Sequence, residues 1–180
     1  NYVFARWGRP ISPVVFGVLD ETLNVVNAAV KEVCSACGHP TNDLDPELGS
    51  NLMVFFVSNW HELCELPNLD QLIPDLSNVV DRLQAVSANQ YRAFRFDDIG
   101  AIQACFVFLR MDEALEQLGA DSLVLAQVVQ AMLLWSQMAF RDRSPLAMLE
   151  NGTVVLRPDI AAVLRAAYDP VMPARAGDPS

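Results

Sequence analysis

Between Leu123 and Phe140 the chain carries Leu, Val, Met, Trp and Phe at so many positions that, wound into a helix, they cover nearly its whole circumference. A helix that is apolar all round has no face to give to water, so it must lie inside the core. Gln127, Gln130, Ser136 and Gln137 interrupt the run, which denies it the roughly 18 to 20 uninterrupted apolar residues of a membrane span. The expectation is a long buried helix over about 122–140, capped by Gly119-Ala120-Asp121-Ser122. Its glutamines at 127, 130 and 137 fall three or four apart with Leu134 and form one stripe. With 52% hydrophobic and 19% charged residues, 180 residues suffice to close one core around this helix and exclude general disorder.

The flanking elements follow from periodicity. Arg9 to Gly17 reads as a short strand whose prolines, Pro10 and Pro13, belong at an edge or in its first residues. Asp20 caps a helix with Leu23, Val26, Val30, Val33 and Cys37 on one face, stopped by Gly38-His39-Pro40. Leu52 to Val57 is a continuous apolar run, a central strand buried on both faces. A helical pattern from Leu69 to Leu83 ends near Val86, whereas Gln90 to Gly100 alternates too irregularly to assign. Ile102 to Arg110 is a strand rich in aromatic and β-branched residues, and Pro158-Asp159 opens a last helix through Tyr168. The class is α+β, a small mixed sheet packed on helices, in a single domain over 1–173 with a loose tail at 174–180.

Twelve basic against 22 acidic residues leave a net charge of −10, and the arginines are scattered, which argues against a nucleic-acid partner. Cys34, Cys37, Cys64 and Cys105 are structural thiols or disulfide partners. Cys34 and Cys37 end a helix, where the dipole does not stabilise a thiolate, so they read as structural and not redox thiols, a metal site with the nearby His39 being the lesser alternative. His61, just after the central strand, reads as a loop histidine bonded to backbone. There is no nucleophile elbow, Walker loop or dinucleotide fingerprint, and no cofactor is expected. Tyr2, Phe4 and Trp7 precede the first strand and either fold back on the domain or meet a protein partner, the second being the expectation. The chain starts at Asn1 without an initiating Met, which leaves room for a removed leader or anchor.

Ala126 to Leu134, then Ser144-Pro145-Leu146-Ala147-Met148, then Leu156 to Pro170 together resemble the second half of a zincin-fold metalloprotease domain. Such domains carry H-E-x-x-H on a helix, a turn with serine and methionine, and a closing helix. With Arg6-Trp7-Gly8-Arg9-Pro10-Ile11 at its start, the chain is similar to a poorly characterised family of proteobacterial envelope proteins with a degenerate zincin-like domain. The resemblance implies a zincin-like fold and a periplasmic or cell-envelope location. On H-E-x-x-H, the histidine positions fall on Ala126 and Gln130, the glutamate on Gln127, and a third ligand near Ser136. Alanine cannot ligate zinc and glutamine is no general base, so the implied protein is a pseudoenzyme without metal. It would serve as a non-catalytic binding or accessory subunit of an envelope assembly. Leu133 stands where some zincins turn at a glycine, so the helix is expected to run on. The alternative is a hydrolase with a relocated site near His39 or His61.

Overall fold

The computed structural model describes residues 4–18, 20–42, 49–136 and 138–177; Tyr2 and Gln137 lie outside them. Its centre is a four-stranded sheet in the order β2 (Pro13–Phe16), β3 (Leu52–Val57), β5 (Ile102–Arg110), β4 (Gln90–Phe96). β2, β3 and β5 run parallel and β4 is antiparallel to β5, which makes the sheet mixed and the class α+β. Burial on both faces explains the unbroken apolar run of β3. On one face Leu52 and Val54 join Cys105, Val107 and Leu109 beneath α1 (Asp20–Cys37) and α6 (Ala120–Ala131). On the other, Phe55, Val57, Phe106 and Phe108 pack under α2 (Glu62–Glu65), α3 (Leu69–Leu72) and α4 (Leu76–Ala85). The helical pattern read from Leu69 onward is thus divided between α3 and α4, with Asp75 in a left-handed conformation at the break.

α1 ends as its sequence demands. Gly38 sits at φ 73°, its N–H donates to the Ser35 carbonyl (3.3 Å), and the His39 N–H reaches back to the Cys34 carbonyl (2.9 Å). This closes the last turn in a conformation that glycine adopts without strain. Beyond α5 (Glu113–Glu116) and α6 come a hairpin of β6 (Leu146–Met148) and β7 (Val154–Leu156), α7 (Pro158–Ala167) and β8 (Arg175–Ala176). β8 pairs antiparallel with β1 (Phe4–Ala5), so residues 175 and 176, expected in a loose tail, form a strand. No helix among the described residues is long and apolar enough to cross a membrane.

Two expectations are corrected. The buried helix stops at Ala131 and does not continue to 140, because carbonyls at its end are claimed by side chains. Trp7 Nε1 donates to the Ala131 carbonyl (2.8 Å), the Tyr168 hydroxyl to the Met132 carbonyl (2.6 Å), and Trp135 Nε1 to the Val129 carbonyl (3.1 Å). Leu133 then bridges Arg6, and the Leu134 N–H donates to the Ala5 carbonyl (3.0 Å). The chain therefore turns just beyond Ala131, its end closed by tertiary donors, and does not run on through Leu133 as expected. The second correction follows from the same contacts: Trp7 is 0% exposed and Phe4 packs against the core, so neither is a free partner surface. An indole N–H that can reach an orphan helix carbonyl is satisfied inside the fold.

Candidate functional site

The polar stripe of α6 faces β4. Gln90, Arg92 and Phe94 oppose Leu109, Val107 and Cys105 across the antiparallel ladder, and residues directly opposed point to the same side of a sheet. They therefore share the α6 face. Arg92 Nη1 donates to Gln127 Oε1 (2.6 Å) and Nη2 to Gln130 Oε1 (2.6 Å), so one guanidinium fork spans two glutamines one helical turn apart. The glutamines are themselves held. Gln127 Nε2 donates to Gln90 Oε1 (2.8 Å), and Gln130 Nε2 to the Ala126 carbonyl (3.2 Å). Gln127 is buried, at 3% exposure. Burial draws the pKa of Arg92 below its ordinary value, yet a guanidinium starts so high that it stays cationic.

The positions aligned with the zincin motif thus fall into two groups. Gln127 and Gln130 belong to one network, to which Ala126 contributes only its carbonyl. Ser136 is on exposed chain beyond the helix, its hydroxyl accepting the Met138 N–H (3.2 Å). Beside the network opens a cavity of about 310 Å³, with Arg92 and Gln130 on its inner side. Phe94, Trp135 and Phe140 form apolar walls, the last two edge to face at 4.9 Å, and Ser136 and Arg141 complete the lining. Sequence reasoning missed Gln90, Arg92 and Arg141. The first two sit in a stretch left unassigned, though Gln90, Arg92 and Phe94 already alternated at the strand period.

The histidines do not make a second centre. His39 lies at the start of the parallel strands, its Nε2 2.9 Å from the Arg9 carbonyl and its ring 4.8 Å from that of Tyr168. Burial holds its pKa below the ordinary histidine value. His61 lies past the far end of β3, exposed, so the sheet separates the two. Among the described residues no three His, Cys, Asp or Glu side chains gather where they could hold a metal. A cavity of about 490 Å³ at the carboxyl ends of β2 and β3 includes Glu62, but that carboxylate is spent on the Ser58 and Asn59 N–H groups (3.3 and 3.1 Å).

All four cysteines are free thiols, three of them buried. Burial, with Cys37 alongside, pushes Cys34 up to about 12; burial also pushes Cys105 up to about 12 and raises Cys37. Since the thiolate is the reactive species, burial makes Cys34, Cys37 and Cys105 poor nucleophiles. A thiol-specific reagent should therefore titrate Cys64 alone in the native protein and all four after unfolding; rapid native reaction of more than one thiol would refute the assignment.

The chain matches no protein-family model, no curated sequence and no solved structure.

Proposed function

We propose that this chain is a non-catalytic binding or accessory domain, kept for what it holds and not for a reaction it performs. The observation that carries the reading is the guanidinium of Arg92 seated across Gln127 and Gln130. A cation already occupies the two side-chain oxygens of the stripe, and a divalent metal placed there would meet positive charge and neutral amides, with no thiolate, imidazole or carboxylate. Neither amide can act as a general base, so water activation has no agent. The resemblance in sequence supplies the setting: a degenerate metalloprotease-like subunit of a cell-envelope or membrane-associated assembly, with a protein as its partner.

Elemental analysis of the purified protein after exposure to zinc, paired with a peptide-hydrolysis assay, tests the reading. The expected result is no stoichiometric zinc and no cleavage. One zinc per chain that is lost in Gln130→Ala, or peptide turnover that follows the protein through purification, would overturn it.

A further inference from the structure

We infer that the cavity between β4 and the segment after α6 is a binding site for a small organic carboxylate with an apolar body. This deepens the binding reading above and rests on it, by naming the ligand class.

Charge is the first ground. The protein carries a net charge of −10, yet this cavity is lined by two arginines and, among the described residues, no acidic side chain. Arg157, only 9% exposed at its side chain, pairs with Asp159 and Arg110 lies 3.3 Å from Asp112, whereas Arg6 and Arg95 donate to backbone carbonyls. Arg92 is set against neutral amide oxygens alone, which orient a guanidinium without cancelling its charge. A largely buried cation left uncompensated costs stability that an anion beside it would restore.

Pre-organisation is the second. The fork is fixed at both ends by glutamines that are themselves tied to Gln90 and to the helix backbone. Two of its five N–H groups are spent, and the other three have no acceptor among the described residues. Arg141 approaches from the exposed turn, where its Nη1 donates to the Met138 sulfur (3.9 Å). Planar donors held in place suit a planar carboxylate, which a fork receives through two oxygens at once.

Size and walls give the third. A volume of about 310 Å³ stands at the lower end of small-molecule pockets, too small for a folded partner. Three aromatic walls would desolvate inorganic phosphate without return, whereas they would bury the ring or alkyl chain of an organic acid.

Trp135 lines the cavity while Trp7 and Trp60 are 0% and 1% exposed, so tryptophan emission reports occupancy, with Trp135→Phe as the check on the signal. The probes are benzoate and hexanoate, their neutral amides, and inorganic phosphate. The expected result is saturable binding of at least one carboxylate in the millimolar range or tighter, no saturation by its amide, and weaker binding of phosphate. Arg141→Gln, on the surface, should fold normally and weaken carboxylate binding by about tenfold, the loss of one charge-assisted contact. Arg92→Lys, which keeps the charge but not the fork, should weaken it further. No saturation by either carboxylate, equal binding of acid and amide, tighter binding of phosphate, or an affinity indifferent to Arg141→Gln would each overturn the inference. A zinc-free protein blind to carboxylates defeats this inference alone; zinc bound at Gln130 defeats the binding reading with it.

Discussion

Trp7→Ala is expected to remove about 3 to 5 kcal/mol of stability, the range for truncating a buried aromatic, and to show it as a lower midpoint in urea melts. Trp7 has no exposed surface and its indole N–H closes the end of α6. Its main chain is also tied down, to Ile102 on one side and to the Tyr168 hydroxyl (3.4 Å) on the other. Trp7→Phe separates packing from capping: it keeps most of the ring and leaves the Ala131 carbonyl without its donor, a loss of about 1 to 3 kcal/mol. A Trp7→Ala protein that melts with the parent would mean that the first segment contributes no stability to the domain.

The second large effect concerns the network at the candidate site. Gln127→Leu should cost about 1 to 3 kcal/mol, because it takes the partner from Arg92 Nη1 and from Gln90 Oε1, both on half-buried residues. Adding Arg92→Met to Gln127→Leu should return part of that loss, since removing a buried charge together with its partner is far less costly than removing the partner alone. The double-mutant cycle is expected to give a coupling of about 1 kcal/mol or more. Strict additivity of the two changes would show that the bond between Arg92 and Gln127 holds nothing together.

The legible part of this fold was the part written in single elements. The run from Leu52 to Val57 identifies a doubly buried strand because nothing polar interrupts it, and Gly38 ends α1 through its own backbone freedom. What escaped reading depends on residues far apart in the chain. Leu123 to Phe140 has the composition of one continuous helix, but where it stops is decided by Trp7 and Tyr168, which no local pattern around residue 131 reveals. β4 escaped for a different reason. An inward strand face is expected to be apolar, and Gln90-Tyr91-Arg92-Ala93-Phe94 directs a glutamine and an arginine inward to meet the amides of α6. The polar stripe was visible at Gln127 and Gln130, while the cation that answers it was not. Local consistency fails at the place where the polar residues converge.

The clasp of β1 on β8 bears on the order in which the molecule can assemble. Residues 4–8 take partners from Ile102, from 131–134, from Tyr168 and from 172–176, so these contacts of the segment span more than ninety residues. Closing such loops is entropically slow, and a chain rich in them folds slowly. During synthesis the earliest part of this domain leaves the ribosome first and finds its seat last, since the Arg6 N–H awaits the carbonyl of Ala174. Until then the indole of Trp7 and the last carbonyls of α6 stay open to solvent or to a chaperone, which makes the nascent domain most vulnerable just before its final strand emerges.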